Sequence, residues 1–406
     1  MATRVYLDYN ATTPTDPQVV AALVPYLSEA FGNASSSYSL GIEAKRAVEN
    51  ARGQVARMLG ATAADEILFL SGGTESINYA LKGSAQVAKQ LSGRDHIITS
   101  VAEHVAVLET CRHLETRGFR VTYLDVDQYG RVSVQDVIRA ITPATFLISL
   151  MHANNEVGTL NPITEISQAI KQHVLSNKLH PILLHTDASQ SIGKVSVDVD
   201  ELGVDFLTIA GHKLYAPKGI GALYIRAGTP LPAVLIHGAS HESDRRAGTE
   251  NVPFDVALGK ACELIHENLS QYAGYMQQSK QFLLEHLQQL LSKTNVRFQV
   301  NGHPEHVLPN TLSISFYNVS AVNLLKLIEA EGVCASAGSA CHSHSDDSNA
   351  KISHVLAAMR IPREFALGTL RLSAGRHTTE KELITAANAI YNAIQQLAVG
   401  TRSNAV

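Results

Sequence analysis

The 406-residue sequence has few cysteines, no long apolar run and no excess of charge of one sign. Four cysteines (Cys111, Cys262, Cys334 and Cys341) are too few for a disulfide framework in so long a chain. Lysine and arginine number 33 against 37 aspartate and glutamate, so no basic surface for nucleic acid is predicted. No apolar stretch reaches the roughly 18 residues of a membrane span, and Asp8 is charged where a signal peptide would be apolar. These absences predict a soluble, cytoplasmic globular protein.

Short apolar runs alternate with helical patterns through the first two-thirds of the chain. We predict strands at residues 67–70, 96–100, 121–124, 146–151, 182–186, 206–209 and 222–225. Because the runs are apolar almost throughout, they indicate an α/β fold with a mainly parallel seven-stranded sheet between helices. A long amphipathic segment at 257–291 then leads to two strands and a closing helix with the capping box Thr379-x-x-Glu382. We predict a large α/β domain at 15–256 and a smaller α+β domain formed by 1–14 and 257–406.

A glycine-rich turn follows the first of these strands. The segment Ser71-Gly72-Gly73-Thr74-Glu75-Ser76 opens a helical stretch, where bare backbone and helix-start N–H groups favour an anion such as phosphate. The same glycines suit an ordinary strand-to-helix turn, which is the simpler interpretation of this segment taken alone.

Polar residues also follow three later strands. Asn155 and Asp187 come after strand ends, where ligands bind in open α/β sheets. Equally, Asp187 can cap a helix and Asn155 can close a turn. Lys213 follows the strand at 206–209; in a desolvated site its pKa would fall and it could form a Schiff base, whereas most lysines simply reach solvent.

Cys341 lies in a polar loop of small residues, unlike Cys111, which has apolar neighbours in a helical pattern. An accessible thiol beside histidines is often a nucleophile. Two other interpretations are open: a surface cysteine without a role, and a metal site using His342, His344 and the aspartates that follow. Since no regular spacing of a second ligand pair supports the metal site, the nucleophile is preferred.

A series of short motifs runs in order along nearly the whole chain. They are Tyr6-Leu7-Asp8-Tyr9-Asn10-Ala11-Thr12-Thr13-Pro14, Ser71-Gly72-Gly73-Thr74-Glu75-Ser76, Glu103-His104, Asn154-Asn155-Glu156-Val157-Gly158, His185-Thr186-Asp187-Ala188-Ser189-Gln190, Gly211-His212-Lys213, Gly248-Thr249-Glu250-Asn251, Gly338-Ser339-Ala340-Cys341 and Leu370-Arg371-Leu372-Ser373-Ala374-Gly375-Arg376. With these motifs the chain resembles the cysteine desulfurases and selenocysteine lyases, pyridoxal 5'-phosphate (PLP) enzymes of the class V aminotransferase group. The resemblance implies the fold of type I PLP enzymes, with a large and a small domain.

The resemblance also implies how the cofactor would be held. Lys213 would bind PLP as a Schiff base and, once released, remove the Cα proton of the substrate. Asp187 would pair with the pyridine nitrogen and keep it protonated. His104 would stack on the ring and assist proton transfer, while Gln190 would bond the phenolic oxygen. The phosphate would be contacted by Thr74, the backbone of Gly72 and Gly73, His212 and, from the neighbouring subunit of a homodimer, Thr249. Asn155 would also contact the cofactor.

The resemblance further implies the substrate side of the site. Arg371 would clamp the substrate carboxylate, with Asn155 beside it. Cys341 would attack the substrate sulfur, so that alanine leaves and a persulfide stays on the enzyme. An acceptor protein would then take the sulfur, and the sequence leaves open whether that is an iron–sulfur scaffold, a tRNA-thiolation protein or a selenium-pathway enzyme.

The sequence departs from the family pattern at two places. Ala210 stands where the family often has serine, so one phosphate hydroxyl is missing and PLP is expected to be held less tightly or by another donor. The segments 341–347 and 203–209 are more similar to the selenocysteine lyase branch. We predict a cysteine desulfurase that converts L-cysteine to L-alanine, with selenocysteine lyase as the alternative. Another class V reaction would not need Cys341, and a metal-binding or scaffold protein using the loop 341–344 is the non-enzymatic alternative.

Overall fold

The structure is a computed structural model that describes residues 4–337 and 352–403. Its strands are β1 (Val5–Tyr6), β2 (Ile67–Leu70), β3 (His96–Ser100), β4 (Arg120–Leu124), β5 (Thr145–Ser149), β6 (Leu183–Asp187), β7 (Phe206–Ala210), β8 (Gly221–Ile225), β9 (Phe298–Asn301), β10 (Thr311–Phe316), β11 (Val333–Cys334) and β12 (Thr369–Ser373). Its helices are α1 (Pro17–Leu23), α2 (Pro25–Ser28), α3 (Ser39–Leu59), α4 (Gly73–Asn78), α5 (Ser84–Ser92), α6 (Val105–Thr116), α7 (Val134–Ala140), α8 (Ile163–Ser176), α9 (Val199–Leu202), α10 (Val252–Leu291), α11 (Ala321–Ala330), α12 (His354–Ala358), α13 (Arg363–Ala366) and α14 (Glu380–Ser403). None of these helices is long and apolar enough to cross a membrane.

The largest sheet has seven strands in the order β2-β8-β7-β6-β5-β3-β4. The strands β7, β6, β5, β3 and β4 are parallel, and β8 lies antiparallel between β2 and β7. This confirms the predicted mainly parallel seven-stranded sheet. Because β3, β5, β6 and β7 run in one direction, the residues that follow them emerge at the same edge of the sheet.

Apolar side chains cover both faces of this sheet, as expected for strands that are apolar almost throughout. One face carries Ile98, Ile148 and Leu207 and packs against a cluster that includes α3 and the first half of α10. The other face carries Ile97 and Leu147 and packs against α4, α5 and α6. Alternate residues of one strand therefore enter different cores.

A smaller antiparallel sheet, β12-β10-β9, forms around a separate apolar cluster. It packs against α11, α14 and the second half of α10, while β1 pairs in parallel with β11. The helix α10 has 40 residues and reaches both cores. It begins before the predicted residue 257, because Pro253 fits in the first turn, where its missing N–H costs nothing. The domain boundary at 256 falls inside this helix and stays a prediction.

The capping box predicted before the last helix is confirmed. Thr379 N–H donates to Glu382 Oε2 at 2.7 Å, and Glu382 N–H donates to Thr379 Oγ1 at 3.4 Å. These two bonds satisfy helix-start donors and fix where α14 begins.

A buried ion pair joins the segment before α1 to the segment after β12. The side chains of Arg376 and Asp16 are 2% and 7% exposed and form a salt bridge. The Arg376 guanidinium also lies 4.0 Å from the ring centroid of Tyr215 and 4.6 Å from that of Tyr272. Removal of the cation would leave the Asp16 carboxylate buried without its partner.

We expect Arg376→Met to lower the free energy of unfolding by about 3–5 kcal/mol, because an uncompensated buried charge is costly. The control is Arg112→Met, whose salt bridge to Glu109 is more than half exposed on both sides. It should lower the same quantity by less than about 1 kcal/mol. Urea unfolding of the wild type and the two variants measures both losses in the free energy of unfolding. Equal losses would show that the Arg376–Asp16 pair contributes no more than an exposed salt bridge.

Candidate active site

A cavity of about 320 Å³ lies at the edge of the large sheet where the parallel strands end. Its walls come from the loops that follow β2, β3, β5, β6 and β7, together with Asn10 and the strand β12. Nine of the site residues predicted from the sequence line it: Gly73, Thr74, His104, Asn155, Asp187, Gln190, His212, Lys213 and Arg371. The fold therefore brings together residues that are up to 298 positions apart (371 − 73 = 298).

Gly72, which the resemblance also places at the phosphate, is not among the residues that line the cavity. Thr249 is exposed and lies outside the cavity lining of its own chain. Cys341 lies outside the described residues, as do Gly338, His342 and His344. Their roles remain predictions.

Lys213 is placed by a tight turn directly after β7. Burial and, to a smaller extent, the charge of Arg371 lower the pKa of its amine to about 8, while Asp187 and Asp8 oppose the shift. The Nζ atom donates a hydrogen bond to the backbone oxygen of Asn10. At neutral pH a much larger fraction of this amine is therefore uncharged than for an ordinary lysine, and the uncharged amine is the nucleophilic form.

His104 forms the N-cap of α6. Its Nδ1 accepts a hydrogen bond from Ala106 N–H at 3.1 Å, and burial lowers the pKa of the ring. The ring is thus held neutral, with its proton on Nε2. The preceding residue, Glu103, is fully buried with its pKa raised to about 8 by that burial. Its oxygens accept from Ser100 Oγ at 2.7 Å and from Met151 N–H at 2.9 Å, and these bonds fix the turn that carries His104.

Asp187 ends β6 and places a carboxylate in the cavity wall. Its Oδ1 accepts a hydrogen bond from Ser189 N–H at 2.9 Å. This bond within the following turn restricts the side chain to one direction. A buried carboxylate of this kind can bind a protonated ring nitrogen.

The start of α4 forms a cradle for an anion. A Cβ atom added to Gly73 would lie 3.2 Å from Ala210 Cβ and 3.3 Å from Ser189 Oγ, so a larger residue would fill this space. The first N–H groups of a helix have no intrahelical acceptor and point outward, which suits phosphate. His212 completes the wall with its pKa lowered to about 4 by burial, so its ring is neutral.

Arg371 lines the cavity from the small sheet, on β12, and is 3% exposed. Its Nη1 donates to the Asn155 carbonyl at 2.9 Å, and its Nη2 donates to Asp8 Oδ1 at 2.6 Å. Its Nε is buried and has no hydrogen-bond partner among the described residues. Among those residues, the guanidinium therefore has one donor without a partner, and its Nη2 is paired with the Asp8 carboxylate.

Four residues of the site received no role from the sequence. Asp8 and Asn10 belong to the N-terminal motif, which signalled the family but not the contacts of these two side chains. Ser189 lies inside the motif that contains Asp187 and has no local signal of its own. His354 lines the cavity and donates from Nε2 to the Glu103 carbonyl at 3.0 Å, although no motif pointed to it.

The described part of the chain contains no cluster of side chains that supports the alternative of a metal site. Residues 4–337 and 352–403 contain no group of three or more histidine, cysteine, aspartate or glutamate side chains placed to hold a metal ion. The candidate ligands at 341–347 lie outside those ranges. One of the two segments that are similar to the selenocysteine lyase branch, 341–347, is the same one, and that prediction also stays open.

Comparisons with known proteins agree with this geometry. The model of the class-V aminotransferase family matches residues 5–385. The cysteine desulfurase IscS of Dictyoglomus turgidum is 44% identical over 397 residues, which cover 98% of this chain and 96% of that protein. A solved structure described as a NifS-like protein has a TM-score of 0.87 at 37% identity and covers 97% of this chain and all of its own. A structure titled "SspA in complex with cysteine" has a TM-score of 0.77 at 35% identity and covers 93% of this chain and all of its own.

The family match covers most of the chain, and the relatives are similar over nearly their full length. Nine of the residues to which the resemblance assigns contacts with cofactor or substrate line one cavity. The protein is therefore a PLP-dependent enzyme of the class-V aminotransferase family and, within it, a member of the cysteine desulfurases.

Proposed function

We propose that the enzyme converts L-cysteine to L-alanine and keeps the released sulfur as a persulfide on Cys341. The observation that supports this most is the desolvated amine of Lys213, which shares one cavity with the Asp187 carboxylate and the Arg371 guanidinium. An uncharged amine, a partner for a ring nitrogen and a clamp for a carboxylate are the groups that PLP chemistry on an amino acid requires. The similar protein titled as a complex with cysteine is consistent with this substrate.

The residues of the cavity fit PLP. When bound, PLP supplies an electron sink that stabilises negative charge at the substrate Cα. Gly73 lines the cavity without a side chain, and a Cβ there would crowd Ala210 and Ser189, so the backbone at the start of α4 stays bare toward a phosphate. The groups that would hold the cofactor are the Lys213 amine, the Asp187 carboxylate, the His104 ring, the Gln190 amide and, around the phosphate, Gly73, Thr74, His212 and Ser189.

The chain's own residues then perform the remaining steps. Arg371 exchanges Asp8 for the substrate carboxylate, and its unpaired Nε provides a further donor. Lys213 takes the Cα proton, since its lowered pKa leaves a free amine near neutral pH. The thiolate of Cys341 attacks the substrate sulfur as the Cβ–S bond breaks. The balance is cysteine plus enzyme thiol giving alanine plus enzyme persulfide, so that Cβ is reduced and the two sulfurs share the oxidation.

The finer partners are also proposals. Thr249 is exposed on its own chain, which suits a hydroxyl that reaches the phosphate of a second copy in a homodimer. A persulfide needs an acceptor, so we propose that a sulfur-accepting protein docks near the Cys341 loop. Because the described cysteines are thiols, we place the reaction in the cytoplasm.

The role of Cys341 is tested by alanine release from L-cysteine and from L-selenocysteine. We expect Cys341→Ala to lose the activity on cysteine by about 10³-fold or more, because the sulfur has no acceptor thiol. The control is Cys334→Ala, another free cysteine, which should remain active. Full activity of Cys341→Ala on cysteine would refute the persulfide, and wild-type activity on selenocysteine alone would make the enzyme a selenocysteine lyase.

The pKa of Lys213 is tested by mixing apoprotein with PLP and following the cofactor absorbance across neutral and alkaline pH. Only the uncharged amine reacts, so the rate should rise about tenfold per pH unit and level off near the pKa of about 8. Arg371→Met should move the midpoint to higher pH, because the Arg371 charge lowers the pKa of Lys213. A wild-type midpoint at the ordinary value of 10.5 would contradict the desolvated amine.

Ser189 is proposed as the donor that replaces the hydroxyl absent at Ala210, since both side chains border the same space beside Gly73. Loss of one hydrogen bond to a charged group should raise the PLP dissociation constant of Ser189→Ala about tenfold. The double variant Ser189→Ala/Ala210→Ser should recover most of the affinity, and Ala210→Ser alone serves as the control. Equilibrium dialysis measures the four proteins. Unchanged affinity of Ser189→Ala, or no recovery in the double variant, would exclude this exchange.

A further inference from the structure

Lys194 is a buried lysine behind the cavity wall. Its residue is 5% exposed, and it does not line the cavity itself. Its Nζ donates to Gln190 Oε1 at 2.8 Å and to Asn10 Oδ1 at 3.2 Å, both of them neutral amide oxygens. The charged neighbours that act on it, Lys213 and Arg371, are cations. Burying an amine beside two cations is costly. The presence of a lysine at this position therefore calls for an explanation other than charge pairing.

The contacts of Lys194 determine which way the Gln190 amide points. Gln190 Oε1 faces Lys194, and Gln190 Nε2 donates to the Asn10 carbonyl at 3.0 Å, on the side where Lys213 also binds that carbonyl. If the amide were reversed, its NH₂ group would face the amine of Lys194 and its oxygen would face the Asn10 carbonyl oxygen. The contact between the two oxygens would then be repulsive, and the Lys194 amine would lose one of its two acceptors, so only the observed orientation satisfies every group.

A second amide is fixed in the same way. Asn10 Oδ1 accepts from Lys194 and from Asn310 Nδ2 at 3.0 Å, while Asn10 Nδ2 donates to Thr311 Oγ1 at 2.8 Å. Lys194 therefore contacts the side-chain amides of Gln190 and Asn10, and Lys213 binds the backbone carbonyl of Asn10. Burial lowers the pKa of Lys194 well below its ordinary value, and an uncharged amine still has two N–H groups for these two acceptors.

We infer that Lys194 is a positioning residue, which holds the Gln190 amide with its NH₂ group toward the cavity and its oxygen away from it. In that orientation Gln190 offers a donor to the phenolic oxygen of PLP, whereas the reversed amide would place an oxygen against it. Lys194 touches neither the cofactor nor the substrate and acts through Gln190. This inference rests on the proposed function, because it assumes that PLP binds in the cavity.

The test uses Lys194→Met, which keeps an unbranched side chain one atom shorter and removes the donors. The apoprotein is titrated with PLP, and two quantities are read: the dissociation constant, and the pH midpoint of the visible absorbance of the bound cofactor. The matched control is Lys280→Met, because Lys280 is also largely buried, with its pKa lowered to about 8, and donates to the Leu308 carbonyl at 2.9 Å away from the cavity lining.

We expect Lys194→Met to raise the dissociation constant about tenfold and to shift the absorbance midpoint, since a well-placed hydrogen bond to the phenolic oxygen is lost. Lys280→Met should leave both quantities within about twofold of wild type, even where it lowers the melting temperature similarly. In a Gln190→Met background, Lys194→Met should add less than about twofold, because the effect passes through Gln190. Wild-type binding by a folded Lys194→Met protein, or independent effects in the two backgrounds, would overturn the inference.

A second variant covers the case in which Lys194→Met does not fold. Gln190→Glu retains an acceptor for Lys194 but offers only oxygens to the cavity, so it should weaken PLP binding more than Gln190→Met does. Equal or tighter binding by Gln190→Glu would show that the orientation of this group does not matter. Wild-type protein that binds no PLP would instead refute the proposed function, so the two failures are distinct.

Discussion

The geometry of the active site depends on the hydrogen bonds of one buried residue, Asn10. Its backbone N–H donates to Ser373 Oγ at 3.0 Å, and its side-chain NH₂ group donates to Thr311 Oγ1 at 2.8 Å, both on strands of the small sheet. Its carbonyl oxygen accepts from Gln190 Nε2 at 3.0 Å and from Lys213 Nζ, both in loops of the large sheet. A buried polar group that loses its partner costs about 1–3 kcal/mol, so movement of either sheet away from Asn10 is opposed by several bonds at once. The N-terminal segment thereby fixes the distance between the two halves of the cavity.

The charges of the cavity match an anionic cofactor and a substrate with a carboxylate. Arg371 supplies positive charge, while His104 and His212 are held neutral by burial, which lowers the pKa of both rings. Asp187 supplies a negative charge where the resemblance places a pyridine nitrogen. In a partly desolvated cavity such charges interact more strongly than they do in water. The same desolvation lowers the pKa of Lys213. One physical cause therefore strengthens the attraction between the charges of the cavity and its ligands, and raises the uncharged fraction of this amine.

The parallel sheet explains why distant motifs meet. His104, Asn155, Asp187 and Lys213 each follow a parallel strand, and parallel strands deliver their carboxyl ends to one edge. Hydrogen bonds within each turn then fix the individual side chains. Asp187 is held by Ser189 N–H, and Glu103 holds the turn before His104 through Ser100 and Met151.

The sequence by itself determined the seven strands of the large sheet and the α/β class, because these follow from apolar periodicity. It also indicated nine residues of the cavity, because their motifs resemble those of a known family. It also identified Ala210 as the place where a hydroxyl is missing. Only the tertiary structure decided three contacts: Ser189 borders the same space beside Gly73 as Ala210, Asp8 accepts a hydrogen bond from Arg371, and Lys194 donates to Gln190. Local sequence patterns specify which face a residue occupies but not which partner it meets across the fold. Asp8 and Arg371 are 363 positions apart, and their contact exists only because the N-terminal segment and β12 pack side by side in the small sheet region.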